Sequence, residues 1–159
     1  MTPEEKLGLL LREKGMKIAV AESCTGGLIG GRITDVAGSS DYFEAGLVTY
    51  SNRAKERFLS VPHEVIAAKG SVSPEVAEAM ARGVRVATGA DIGVAVTGIA
   101  GPGGGSPEKP VGLVYIGLAT PDATITRKHQ FQGDRAAVRR QTIEEALKLA
   151  LEVLEGRTP

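Results

Sequence analysis

An apolar run at residues 18–21 (IAVA) stops at polar side chains and passes through the paired glycines Gly26 and Gly27 into a helical pattern that begins near Leu28. A short buried strand that leads directly into a helix is typical of a β-α-β crossover, which places the next strand parallel to the first. This junction therefore indicates an α/β fold, and it is also a natural place for chemistry.

The backbone at such a junction favours negatively charged groups. The first helical N–H groups have no partner within the helix and point outward, and glycines without a Cβ let a ligand approach closely. Ser23 or Thr25 is then either a nucleophile or the N-cap of the helix. The local sequence alone favours the cap, because Ser and Thr are preferred caps and caps are far commoner than nucleophiles.

The remaining pattern predicts a mixed sheet. Helices are predicted after Thr2, at residues 26–36, after Ser51, at residues 63–68, after Ser73 and after Asp134, and strands at residues 17–21, 42–50, 91–97, 111–119 and 123–131. Helices separate the first three strands, which favours parallel crossovers, whereas the last three strands are joined by loops too short to cross over. We expect a mixed, mostly parallel five-stranded sheet between helical layers, as a single domain.

Composition excludes several classes of function. The chain of 159 residues has 19 basic and 19 acidic side chains and only 4% aromatic residues, which disfavours nucleic-acid binding. Its one cysteine, Cys24, cannot form an internal disulfide, and no apolar run reaches the ~20 residues of a membrane span. The N-terminus lacks the apolar run of a signal peptide, so we expect a cytoplasmic protein without a membrane partner.

The sequence supplies no standard cofactor or metal site. The glycine-rich segment 98–106 has neither a Walker A ending nor a G-x-G-x-x-G that enters a helix, although its N–H groups remain open to an anion or an amide carbonyl. The two histidines, His63 and His129, lack ligand spacing and fit no Ser-His-Asp triad. We expect no cofactor and no bound metal.

Ser23 and Lys55 each lie within a turn of a strand end. If their strands are adjacent and parallel, both residues reach the same carboxyl edge of the sheet, where open α/β sheets bind ligands. Lys55 then accepts the proton of Ser23, provided that burial lowers its pKa from ~10.4 toward ~7–8. From spacing alone, a solvated Lys55 is the commoner arrangement.

Neighbouring residues extend this hypothesis. Tyr50 is placed to relay or orient, and the N–H groups near residues 25–27 are placed to hold an oxyanion. Cys24 is a rival nucleophile, although a buried apolar role is commoner. Glu22 either orients Lys55 or caps the helix. Two residues four apart, Arg135 and Arg139, share a helical face that can clamp a phosphate or simply face solvent.

The same residues form motifs that resemble a known family. The motifs are residues 21–27 (AESCTGG), 48–52 (VTYSN) with Lys55, 70–73 (GSVS), 97–104 (TGIAGPGG), 108–112 (EKPVG) and 133–135 (GDR). In this order and nearly end to end, they resemble the CinA C-terminal domain family, whose characterised members are nicotinamide-nucleotide amidases. The resemblance implies a three-layer α/β/α sandwich. It also implies hydrolysis of nicotinamide mononucleotide to nicotinate mononucleotide and ammonia.

The resemblance also implies roles for individual residues. Ser23 would be the nucleophile that forms an acyl-enzyme, Lys55 the base, and Tyr50 their support. The substrate contacts would come from Glu22, Thr25, Gly26, Gly27, Thr97, Gly98, Gly101, Gly103, Gly104, Arg135 and Arg139. Either arginine would meet the phosphate.

Two functions therefore remain open from the sequence. The first is an amidase built from residues 1–159 as one CinA C-terminal-like domain, with a small-molecule nucleotide substrate. The second is a non-catalytic nucleotide-binding or regulatory competence/damage-inducible protein. The joint presence of Ser23, Tyr50 and Lys55 favours the enzyme. We also expect a homo-oligomer, since the sheet should end in an antiparallel edge strand.

Overall fold

Five strands form one mixed sheet: β1 (Ile18–Glu22), β2 (Phe43–Val48), β3 (Ile92–Gly98), β4 (Leu113–Ala119) and β5 (Thr124–Gln130). The computed structural model describes residues 1–157, so residues 158–159 of the expected single domain lie outside the described residues. The strand order β2-β1-β3-β4-β5 places β1 beside both β2 and β3. β1 pairs in parallel with β2 and β3, whereas β4 is antiparallel to β3 and β5. The predicted mixed, mostly parallel sheet is confirmed.

The helices form a layer on each face of this sheet. They are α1 (Pro3–Lys14), α2 (Leu28–Thr34), α3 (Asn52–Leu59), α4 (His63–Lys69), α5 (Pro74–Thr88) and α6 (Arg135–Leu154). One apolar cluster joins α1, α2 and α6 to the sheet, and the other joins α3, α4 and α5 to its opposite face. The α/β/α sandwich is thus confirmed. No helix in the described part of the chain has the length and apolarity needed to cross a bilayer.

The two faces of the sheet differ in side-chain size. Alternation along β1 directs Val20 toward α6 and the smaller Ala19 and Ala21 toward α5. Glycines lie on the same face of the sheet as these small alanines. A Cβ at Gly117 would lie 2.6 Å from the Ala77 carbonyl oxygen, and one at Gly93 would overlap Ala81. The α5 layer therefore packs directly against the backbone of the sheet.

Several helix ends follow the predicted caps. Thr2 and Glu5 form a capping box, and Ser73 and Asp134 each accept a bond from the backbone N–H three residues on. The helix predicted at residues 26–36 is shorter, because Gly27 with φ of 105° delays its start to Leu28. β4 begins later than predicted, since Gly112 turns the chain with φ of 94°.

α3 is fixed in place by its contact with α5. At the crossing, a Cβ on Gly83 of α5 would overlap the carbonyl oxygen of Leu59 at the end of α3. Gly83 is therefore required for close approach and not for its backbone conformation. The position of α3 matters because this helix carries Lys55.

We expect Gly83→Ala to lower the free energy of unfolding by about 1–3 kcal/mol, because the added methyl group forces α3 away from α5. Gly31→Ala is the matched control, since Gly31 lies in α2 with nothing within 4 Å of its Cβ position. The control should gain up to about 1 kcal/mol from helix propensity. Urea unfolding of wild type and both variants measures these changes in the free energy of unfolding. A gain in stability for Gly83→Ala would contradict the packing described.

Candidate active site

The carboxyl ends of β1, β2 and β3 meet at one edge of the sheet and open into a cleft of about 240 Å³. Because these strands are adjacent and parallel, the residues that follow them are brought together. The cleft is lined by Ser23, Cys24, Tyr50, Lys55, Ser71, Val72, Thr97, Gly98, Ile99, Ala100, Gly101, Gly103, Gly104 and Arg135. Nine of the residues predicted for the site are among them.

Lys55 meets Ser23 at the base of this cleft. Thr49 and Tyr50 follow β2, and Ser51 then caps α3, which places Lys55 in the first turn of that helix. The Nζ of Lys55 lies 3.0 Å from the Oγ of Ser23 and also donates to the carbonyl oxygens of Thr49, at 2.8 Å, and Tyr50, at 3.2 Å. The side chain is only 1% exposed, so the expectation of a solvated lysine is wrong.

The surroundings of Lys55 change its proton affinity. All three of its hydrogen-bond partners are neutral oxygens, and within residues 1–157 no carboxylate forms an ion pair with it. Desolvation by burial lowers the pKa of Lys55 from 10.5 to about 8, although the nearby Cys24 opposes the shift. Near neutral pH a useful fraction of Lys55 is therefore uncharged and able to accept a proton from Ser23.

Neither Ser23 nor Thr25 caps α2, contrary to the local prediction. The cap is the buried carboxylate of Glu22, which accepts from the backbone N–H groups of Gly27, Ile29 and Gly30 at 2.9–3.2 Å. It also accepts from the Thr25 hydroxyl at 2.6 Å. Of the two roles considered for Glu22, the structure places it at the cap, which leaves the Ser23 hydroxyl to Lys55.

The N–H groups predicted to hold an oxyanion are mostly occupied. Gly26 donates to the carbonyl of Ser23 at 3.0 Å, and Gly27 donates to Glu22. The N–H groups of Cys24 and Thr25 donate to no other residue within the described part of the chain, and the Cys24 N–H contacts only its own thiol. An oxyanion site at this turn thus depends on those two N–H groups, one or two residues after Ser23, and not on the glycines.

Tyr50 lies at the rim and not between Ser23 and Lys55. Its side chain is 60% exposed, and its hydroxyl accepts from the guanidinium of Arg135 at 3.1 Å. Only its backbone carbonyl contacts Lys55. Because Ser23 and Lys55 are in direct contact, no relay through the Tyr50 hydroxyl is needed.

The two arginines of the predicted phosphate clamp bind different elements. Arg135 donates to the carbonyl of Gly101 at 2.9 Å and so joins α6 to the glycine-rich loop. Arg139 donates to the carbonyls of Cys24 and Thr25 instead. Arg139 does not line the Ser23 cleft, and neither do Glu22, Thr25, Gly26 or Gly27.

Thr97 forms part of the cleft wall through a contact that the sequence does not reveal. Its hydroxyl donates to the carbonyl of Ser71 at 2.8 Å, which holds the loop before α5 against the end of β3. Ser71 and Val72 thereby line the cleft. Neither residue was predicted for the site, because segment 70–73 was interpreted as the start of a helix and as a family motif without a role in the chemistry.

Cys24 is poorly suited to act as the nucleophile. Burial raises the pKa of its thiol to about 11, so little thiolate forms near neutral pH. The histidines lie elsewhere: His63 is exposed beside Glu56, and His129 stacks on Phe131. In the part of the chain that the structure describes, no three His, Cys, Asp or Glu side chains are grouped to hold a metal ion.

The sequence and the fold are similar to those of several known proteins. The family model of the CinA C-terminal domain matches residues 1–154. A CinA-like protein of Geobacter sulfurreducens is 56% identical over 146 residues, which are 92% of this chain and 35% of that protein. The chain spans about a third of the length of the curated relatives it matches.

Solved structures share both the fold and part of the sequence. The competence/damage inducible protein CihA from Agrobacterium tumefaciens is 40% identical with a TM-score of 0.90, and the match covers 96% of this chain and 95% of that one. A CinA superfamily protein from Klebsiella pneumoniae is 31% identical with a TM-score of 0.93, over 98% and 99% of the two chains. These likenesses extend over the whole sheet and both helical layers.

The buried lysine should make folding stability depend on pH. Between about pH 8 and 10.5 the unfolded chain still holds the Lys55 proton that the folded chain has lost, so raising the pH favours folding. Relative to Lys55→Met, the wild-type free energy of unfolding should rise by up to about 1.4 kcal/mol per pH unit in this window. Subtracting the free energy of unfolding of Lys55→Met cancels the contributions of the groups that titrate in both proteins. Denaturant unfolding from pH 7 to 10 tests this, and a constant difference would contradict a lowered pKa.

Proposed function

The chain belongs to the CinA C-terminal domain family, and we propose that it is an amidohydrolase that converts nicotinamide mononucleotide to nicotinate mononucleotide and ammonia. The observation that carries the proposal is the buried 3.0 Å contact between Lys55 and Ser23. The substrate follows from the resemblance of the motifs to those of nicotinamide-nucleotide amidases. Such a reaction would serve the recycling of pyridine nucleotides.

In the acylation step, neutral Lys55 accepts the proton of Ser23 while the Oγ attacks the carboxamide carbon. The tetrahedral oxyanion faces the N–H groups of Cys24 and Thr25, which are the donors of the turn that bind no other residue in the described part of the chain. Protonated Lys55 then gives its proton to the departing nitrogen. The carbon–nitrogen bond breaks, ammonia leaves, and an ester on Ser23 remains.

In the deacylation step, water replaces ammonia. Lys55, neutral again, accepts a proton from the water as its oxygen attacks the ester carbon. The bond to Ser23 breaks, and Lys55 returns the proton to the serine Oγ. The product is nicotinate mononucleotide, and both residues regain their starting states.

The rest of the cleft is suited to the nucleotide. Thr97, Gly98 and the loop with Gly101, Gly103 and Gly104 border the space in front of Ser23. Arg135 is the favoured phosphate contact of the two arginines, because it lines the cleft and bonds only neutral acceptors there. A phosphate oxygen forms a stronger, charge-assisted bond and can displace them.

A non-catalytic nucleotide-binding or regulatory protein is the second candidate. The names of the relatives, which refer to competence and damage induction, are compatible with it. A lysine buried against neutral oxygens destabilises the folded chain, however, and a binding module gains nothing from placing it on a serine hydroxyl. The geometry therefore favours the enzyme.

We place the amidase in the cytoplasm and propose that residues 1–159 form one CinA C-terminal-like domain that needs no cofactor. The two edges of its sheet are β2 and β5, of which β5 is antiparallel to its neighbour. Self-association through such an edge would give the expected homo-oligomer.

Ammonia release from nicotinamide mononucleotide tests the function directly. Ser23→Ala and Lys55→Met should each lower kcat/KM by about 10³-fold or more, because the nucleophile and its base act as one unit. Cys24→Ala is the matched control beside Ser23, and it should keep activity within about tenfold of wild type. If the wild-type chain binds the nucleotide but releases no ammonia, the binding protein replaces the amidase.

The activity should also follow the protonation of Lys55. The kcat/KM should rise about tenfold per pH unit below the pKa of about 8 and level off above it, since only neutral Lys55 accepts the Ser23 proton. Lys55→Arg keeps a charge that is not lost in this range and should stay inactive throughout. A wild-type profile that is flat from pH 6 to 9 would rule out Lys55 as the base.

A further inference from the structure

We propose that Arg139 is a positioning residue that holds the nucleophile turn, residues 23–27, and is not a phosphate ligand. The inference depends on the proposed function only in taking Ser23 as the nucleophile. Arg139 forms no hydrogen bond with the Ser23 or Lys55 side chain and instead donates to the carbonyls of the two residues that follow Ser23. Its effect on the reaction is therefore exerted through the backbone.

The contact joins α6 to the turn through two carbonyl groups. The Nε of Arg139 donates to the Cys24 oxygen at 3.1 Å, and the Nη2 donates to the Thr25 oxygen at 3.3 Å. Charged donors form stronger hydrogen bonds than neutral ones, and the planar guanidinium fixes both carbonyls at once. Gly26 leaves room for this group, since a Cβ there would lie 3.3 Å from the Nη2.

Glu22 holds the same turn from its donor side. Its carboxylate accepts hydrogen bonds from the hydroxyl of Thr25 and from the N–H groups at the start of α2. The turn is thus bound by a buried anion through its donors and by Arg139 through its acceptors. These two side chains form no ion pair with each other in the described residues, so each binds the turn directly.

The two carbonyl contacts also orient the groups that face the reaction. In a planar trans peptide the N–H points opposite to the C=O. Because the Cys24 carbonyl points to Arg139, the N–H of Thr25 points away from it. Arg139 thereby fixes both the position of Ser23 and the direction of one proposed oxyanion donor.

The rival role has one observation in its favour. Arg139 lines a neighbouring cavity of about 670 Å³ together with Arg135, outside the cleft that contains Ser23. A phosphate in that cavity would compete with the two carbonyls for the guanidinium. The positioning and phosphate-binding roles therefore make opposite predictions for a reagent that carries no nucleotide.

The test is the rate at which a small alkyl fluorophosphonate labels Ser23 in the full chain, followed by mass spectrometry. In this reaction the Oγ bonds to phosphorus, fluoride leaves, and Lys55 takes the serine proton. Arg139→Lys keeps the charge but not the contact with two carbonyls. Ser23 in this variant should be labelled at least about tenfold more slowly than in wild type. Arg140→Lys is the matched control on the exposed face of α6 and should label at the wild-type rate.

A second measurement needs no variant. The Nε–H resonance of Arg139 in the wild-type chain should be protected from exchange near neutral pH and should not move when inorganic phosphate is added. A shift of this resonance with phosphate would overturn the proposal. Labelling of Arg139→Lys at the wild-type rate would overturn it too, whatever happens to the KM for the nucleotide.

The ammonia-release and labelling assays test the amidase reaction and the positioning role of Arg139 separately. If the wild-type chain releases no ammonia but Arg139→Lys labels slowly, the positioning role stands and the substrate is wrong. If ammonia is released and both chains label equally, the amidase stands and the positioning role falls. A wild-type chain that does not label at Ser23 overturns the inference.

Discussion

The burial of one ammonium group against neutral oxygens is the interaction on which the rest of the site depends. Lys55 is removed from water without a carboxylate to balance its charge, and its pKa falls to about 8 as a result. In a purely structural role, an apolar side chain of similar length would fill this position with less loss of stability. The proposed chemistry of Ser23 gives a reason for lysine, because a base for a serine proton must be neutral part of the time.

The fold supplies the conditions for that burial. Parallel pairing of β1 with β2 brings their carboxyl ends to the same edge, so the turn after β1 and the start of α3 meet. Small residues on one face of the sheet let α5 approach the backbone, and Gly83 of α5 lets α3 follow. The sheet order and the two glycine-dependent contacts thus determine the distance between Ser23 and Lys55.

The sequence predicted the architecture and proposed Ser23 with Lys55, but not the contacts around them. The positions of the strands, their parallel or antiparallel sense and several helix caps depend on local patterns, and these were found. The adjacency of β1 and β2 was only a condition of the Ser23–Lys55 hypothesis, because the order of strands in a sheet is not a local pattern. The burial of Lys55 was not predicted, because spacing shows where a residue lies on a helix but not which strand end covers it. The cap of α2 was missed since Glu22 reaches forward past the turn. Arg135 and Arg139 share a face, yet their long side chains take partners from different elements.

Identification of a covalent intermediate would show whether Ser23 is the nucleophile. The chain would be mixed with nicotinamide mononucleotide, quenched in acid during turnover, digested, and analysed by mass spectrometry for the peptide that contains both Ser23 and Cys24. We expect a nicotinate mononucleotide ester on the Oγ of Ser23 that disappears when the substrate is consumed. An adduct on Cys24, or ammonia release without a covalent species at any quench time, would contradict it.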